Sequence, residues 1–173
     1  MMSKLYYVKE YTVYQTKAIL TAERDKGSQI FQINLRPGDI IQVSDYGKLE
    51  KLNTESIEFF GGVSPINTTH LVEIKDTSKL EGYLKGILAI RTMEDDIRLG
   101  PIKMIERTED VIKNSKNKDV NTSFLDHLIK VKKRDVEKME AEIGNAQVKL
   151  YDIAKELVGT ENVASDLISY QKA

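Results

Sequence analysis

His70 and His127 are the residues of this chain best suited to bind a metal or pass a proton near neutral pH. A metal centre needs them to converge with carboxylates, and no H-E-x-x-H spacing brings that about. Both read as surface or partly buried histidines. Glu94-Asp95-Asp96 is a run of carboxylates that could hold Mg²⁺ or exchange protons. A bare run of this kind reads more simply as a solvated turn. A hydrolase built on it would respond to Mg²⁺ or Mn²⁺. Gly61-Gly62 and Gly100-Pro101 fit neither G-x-x-x-x-G-K-[ST] nor G-x-G-x-x-G, so they read as turns. No serine sits in a G-x-S-x-G elbow. The chain has no cysteine, which removes thiolate nucleophiles, Cys-based zinc sites and disulfides. The expectation is a protein that is not an enzyme, with no catalytic residue, no metal and no cofactor.

Charge points elsewhere. The segment from Lys113 to Lys138 carries eight basic and four acidic residues, in a chain of 173 residues whose net charge is −1. Lys130, Lys132, Lys133 and Arg134 could pair with phosphates, each neutralised phosphate adding salt-dependent affinity. Interleaved Asp126, Asp135 and Glu137 instead suggest a solvated helix face. The near-zero net charge leaves no whole-protein field toward DNA or an acidic membrane.

The elements that carry these residues change character near Asp76. Before it, short strands are separated by turn clusters. Leu5 to Tyr14 is rich in Tyr and Val, which suit a pleated surface. Lys17 to Glu23, Gln29 to Leu35, Ile40 to Val43, Glu55 to Phe60 and His70 to Ile74 are further strand candidates. Arg36-Pro37-Gly38-Asp39 predicts a β-turn, Pro fixing φ and Gly accepting φ > 0. After Asp76 the period becomes helical. Thr77-Ser78 with Glu81 has the form of a capping box, and Leu80, Tyr83, Leu84, Ile87 and Leu88 follow helical spacing. Residues 89 to 105 are ambiguous: Gly100-Pro101 is expected to break a helix there, and a hairpin fits. Glu106 to Lys113 suits a short helix, and Asn114 to Asn121 a polar loop.

The longest element is expected from Thr122-Ser123 to Val158, with Gly159 as its C-cap. Its a and d positions are Ile129, Lys132, Val136, Met139, Ile143, Ala146, Leu150, Ile153 and Leu157, all apolar except Lys132. That is a coiled-coil-like seam. Asp135 would face Glu140 in a parallel homodimer, so packing in cis or antiparallel pairing is favoured. A last short helix is expected from about Glu161 to Tyr170. Tyr6, Tyr7, Tyr11 and Tyr14 suit an interface and equally suit a sheet core.

Residues 17 to 74, about a third of the chain, resemble an SH3-like barrel. The resemblance rests on Ala18-Ile19-Leu20-Thr21-Ala22, on the acidic-loop position Glu23 to Ser28, and above all on Phe31 to Val43 with its Pro37-Gly38-Asp39 turn. Gly61-Gly62-Val63-Ser64-Pro65 followed by Leu71-Val72-Glu73-Ile74 completes it. The family binds proline-rich peptides in an aromatic groove. Here Leu20 and Ala22 stand where two groove tyrosines would be, His70 replaces a late tyrosine, and the chain has no tryptophan. The resemblance implies the barrel without the proline-peptide groove.

The fold class expected is therefore α+β: a small SH3-like β-barrel with an extra N-terminal strand over 1–76, a mixed connector over 77–121, and a long amphipathic helix with a short terminal helix over 122–173. The first functional expectation is a protein-binding or assembly factor whose partner is another protein or a second copy of itself. Tyr6, Tyr7, Phe59, Phe60, Val136, Met139, Ile143 and Leu150 would supply the apolar contacts. The second is a nucleic-acid binder using Lys130, Lys132, Lys133 and Arg134. The Lys/Ile/Asn/Glu-rich composition suits a small accessory protein of a low-GC bacterium or its phage. No apolar run approaches the ~18 residues of a membrane helix, and Met1 to Tyr7 lacks the apolar stretch of a secretory leader. The expected location is the cytoplasm, or the virion if the protein is phage-encoded.

Overall fold

A computed structural model describes residues 3–19, 28–44, 49–53, 58–60, 69–115, 121–164 and 167. An N-terminal set of antiparallel strands is followed by helices, an α+β arrangement. The strands are β1 (Lys4–Val8), β2 (Thr12–Ile19), β3 (Ser28–Leu35), β4 (Ile40–Val43), β5 (Leu49–Lys51), β6 (Glu58–Phe60) and β7 (Leu71–Glu73). The helices are α1 (Leu80–Ile97), α2 (Lys103–Ser115) and α3 (Ser123–Val158), with a π-helical turn at Arg98–Ile102 and a 3₁₀ turn at Thr160–Asn162. The chain packs as two units, Met1–Leu88 with Val148–Ala173, and Ala89–Gln147. The boundaries fall inside α1 and α3, not at the change of sequence character near Asp76.

In the first unit five strands form an antiparallel sheet in the order β6-β5-β4-β1-β7, and β2 and β3 form a separate hairpin. The interior strand β1 pairs Tyr7 with Ile40 on one side and with Val72 on the other. It lies outside the 17–74 span of the family resemblance. Side chains alternate across a strand, and both faces of β1 are covered. Tyr6 and Val8 face a cluster of Leu35, Ile41, Leu49, Val43 and Leu71. Tyr7 faces the other way and meets the Tyr83 ring of α1 edge-on, with centroids 5.6 Å apart.

Two hydroxyls tie this core together. The Tyr83 O–H donates to the Gly38 carbonyl at 2.6 Å, and the Tyr7 hydroxyl accepts the Ala164 N–H at 2.9 Å. Tyr83→Phe would leave that buried carbonyl short of a donor and is expected to destabilise by about 1 to 2 kcal/mol, read as a lower urea midpoint with unchanged slope.

The Arg36-Pro37-Gly38-Asp39 turn forms as expected. Gly38 has φ 93°, and the Asp39 N–H donates to the Arg36 carbonyl at 3.0 Å. The strand expected over Leu5 to Tyr14 divides at Lys9–Tyr11 into β1 and β2. Of the strand expected over Lys17 to Glu23, residues 17 to 19 end β2 and the rest lies outside the described residues. β5 was not anticipated; its three residues are too few to show alternation.

Helix α1 begins behind Asp76, whose carboxylate accepts the Ser78 N–H at 3.0 Å. That backbone bond, helped by the Ser78 side chain, holds the Asp76 carboxyl below its ordinary range. Glu81, expected to close a capping box, pairs with Lys85 at 3.1 Å. The largest correction concerns residues 89 to 105. No hairpin forms there, and Gly100-Pro101 does not stop the helix. Residues 98–102 adopt a π-helical turn that contains Pro101, and helical backbone resumes at Lys103, whose N–H donates to the Gly100 carbonyl. The wider turn accommodates a ring that an α-helical interior excludes. α2 continues through Asn114 and Ser115, expected as loop.

α3 starts where Asn121 accepts the Ser123 N–H at 3.0 Å and stops at Gly159, whose φ of 87° favours glycine. Where a terminal helix is expected from Glu161, a 3₁₀ turn at Thr160–Asn162 is followed by buried Val163 and Ala164; Leu167 is helical and buried, and the rest of 165–173 lies outside the described residues. Among the described residues, no helix is long and apolar enough to cross a membrane.

Candidate functional site

The expected chemistry-bearing residues do not assemble. His70 pairs through Nδ1 with Glu10 at 3.1 Å, while His127 is exposed on α3. Glu94, Asp95 and Asp96 lie on α1 and not on a turn. Successive helix positions point about 100° apart, so the three carboxylates diverge. Glu94 stands 4.0 Å from Arg91, and Asp95 is bonded to Arg98 at 3.0 Å. Among the described residues, no three His, Asp or Glu side chains gather as a metal site would require.

The expected apolar contacts divide by burial. Tyr7, Ile143 and Leu150 are core residues, at 0%, 6% and 2% exposure, so none offers a free surface. Tyr7 lies inside because α1 and Ala164 cover its face of the sheet. Tyr6, Val136 and Met139 are half-buried. Phe59 and Phe60 pair with Glu50 and Leu49 through β6, and their side chains lie outside the described part of the structure. Leu20 and Ala22 lie outside the described residues altogether.

The basic group splits as well. At about 3.6 residues per turn, Lys130, Lys133 and Arg134 share one exposed arc of α3. Lys132 faces away and pairs with Asp135 at 3.5 Å. Asp126 and Glu137 fall on the same arc as Lys130 and Lys133, each at i,i+4 spacing.

What the second unit does assemble is a furrow between α2 and α3. One stretch, 450 Å³, is lined by Glu109, Ile112, Lys113, Asp126, Ile129 and Lys133. The next, 280 Å³, is lined by Ile102, Ile105, Glu106, Lys133, Val136 and Glu137. Lys133 belongs to both, so the stretches adjoin. Ile112 lies level with Ile129 and Ile105 with Val136, which makes the two helices antiparallel neighbours. Five branched apolar side chains line the furrow, and carboxylates and lysines accompany them. Among the described residues from Arg98 to Glu142, Thr108 alone is buried. Its hydroxyl donates to the Met104 carbonyl at 2.7 Å. Leu99, Met104, Val111 and Phe124 are exposed in the same stretch, at 59%, 44%, 51% and 74%. Two helices with so little burial leave their apolar seam half covered, whereas helical stability in water comes mainly from packing such a face.

Ile102, Ile105 and Ile112 were missed as functional candidates. Their helical spacing was available, but the Gly100-Pro101 reading divided the segment that carries it. One internal group in this unit is also out of place. Gln147 is 5% exposed, and its Oε1 has no hydrogen-bond partner among the described residues. Gln147→Met removes that buried acceptor at similar volume and is expected to stabilise by about 1 kcal/mol, seen as a higher denaturation midpoint.

No protein-family model, curated protein or solved structure matches the chain.

Proposed function

We propose that this protein is a non-enzymatic protein-binding or assembly factor whose docking surface is the α2–α3 furrow. The observation that supports this is the near absence of buried residues from Arg98 to Glu142, set against the branched apolar lining of an open furrow. Docking a helix there would bury Ile102, Ile105, Ile112, Ile129 and Val136 together, the usual way an amphipathic helix is held in a groove. The seam of α3 then serves two ends. Ile143, Leu150 and Leu157 are buried in the protein's own core, and Ile129, Val136 and Met139 serve the partner. In this reading α3 is the single long amphipathic helix expected from its heptads.

We read the N-terminal strands as an SH3-like barrel that has lost its peptide groove, and the whole as an accessory protein of the bacterial cytoplasm or a phage virion. Support for the barrel comes from five short antiparallel strands around one buried apolar cluster and from the Pro37-Gly38 turn.

Capture from the native cell, with and without nuclease, tests the function. A protein that survives nuclease and is lost with Val136→Glu is the expected result. Loss on nuclease treatment would favour a second reading, nucleic-acid binding, for which the exposed arc of Lys130, Lys133 and Arg134 speaks. That reading requires duplex affinity that falls steeply between about 50 and 200 mM salt.

A further inference from the structure

We propose that the occupant of the α2–α3 furrow is a second copy of this chain, related by a twofold axis running along the furrow. This rests on the docking reading above and names its partner. Charge carries it. Lys113 lines the same stretch as Asp126, and Glu106 and Glu109 line the stretches that hold Lys133. In the first stretch the α2 side (Glu109, Lys113) and the α3 side (Lys133, Asp126) are thus opposite in sign level by level, and in the second Glu106 stands opposite Lys133 with Glu137 one turn beyond it. Among the described residues none of these charges is in an ion pair.

A twofold axis parallel to the helices sets α2 of one copy against α3 of the other, antiparallel and at the same level. Each Lys113 then meets the partner's Asp126, and each Lys133 meets the partner's Glu106 and Glu109. The isologous geometry makes every such pair twice. The apolar lining points the same way. Four helices, two from each copy, would cover the isoleucines that the hairpin leaves half exposed, as bundle packing requires.

Light scattering on the full chain should give a mass near twice 19.7 kDa at concentrations of about 10 to 100 µM. Lys133→Glu alone, and Glu106→Lys with Glu109→Lys alone, should each weaken the dimer about tenfold or more. Mixing the two variant chains restores opposite charge at both symmetry-related sites, so the mixed dimer should regain nearly the original affinity. A folded chain that stays monomeric, or a mixture no tighter than either variant by itself, overturns the proposal.

If the charge variants lose helix content by circular dichroism, a cross-link replaces them. The chain has no cysteine, so Lys113→Cys in one chain and Asp126→Cys in another, mixed with a short bismaleimide, should join as a heterodimer. Absence of that product overturns the proposal. A monomer that still captures a nuclease-resistant protein through Val136 removes only the second copy. A monomer that captures none removes the docking reading too.

Discussion

Asp39→Ala is expected to destabilise the protein by about 3 kcal/mol. Asp39 is 1% exposed, yet its carboxylate is fully engaged. Oδ2 accepts the Arg36 N–H at 2.8 Å and lies 3.3 Å from Lys51 Nζ, while Oδ1 accepts from Asn53 Nδ2 at 2.9 Å. Asn53 in turn accepts the Ile40 N–H at 2.9 Å, so the network joins the turn to the start of β4. Alanine would remove the acceptor and leave the Asn53 amide, a backbone N–H and a partly buried ammonium without it. Unmet buried donors are costlier than the net value of the bonds they lose. Asp39→Asn keeps one carbonyl oxygen and should destabilise less, by about half as much. Urea unfolding followed by circular dichroism would measure both. An alanine variant within about 0.5 kcal/mol of the parent, the usual range for surface substitutions, would show that the network does not hold this turn.

This network also marks how far the residues alone reveal the fold. The Pro37-Gly38 turn was legible because its chemistry is local: one residue fixes φ and the next takes φ 93°. β4 and α3 were legible for the same kind of reason, a run of branched residues after a turn in one case and a capped heptad pattern in the other. What brings Asp39 to Asn53, or Tyr7 to Ala164, is pairing at sequence distances of 14 and 157 residues. No local spacing records it. Tyr7 shows the consequence. Its type suits an exposed interface, and only the layer laid over β1 by α1 makes it core. The furrow was hidden differently. Proline is a helix breaker on average, and the π-helical turn that seats Pro101 between α1 and α2 is a backbone geometry that residue propensity does not encode.

Leu150 separates core from interface most sharply, and its substitution carries the second large effect. It falls on the heptad seam of α3, and a free seam position would tolerate alanine at little loss. The structure instead has Leu150 2% exposed, beneath Gly86 of α1. Leu150→Ala should therefore destabilise by about 3 kcal/mol, the transfer and cavity contributions together. Gly86 supplies an internal check. A Cβ built there would lie 2.6 Å from Leu150 Cδ1. In the parent, Gly86→Ala gains up to about 1 kcal/mol in helix propensity but must displace a packed side chain, at about 1 to 3 kcal/mol. The expected net effect is destabilising. In the Leu150→Ala background that methyl is gone, so the same Gly86→Ala change should become stabilising by about 1 kcal/mol. A double-mutant cycle in urea reads this reversal as a coupling energy. If Gly86→Ala has the same effect in both backgrounds, α1 and α3 do not meet at this point, and Leu150 returns to the surface available for partners.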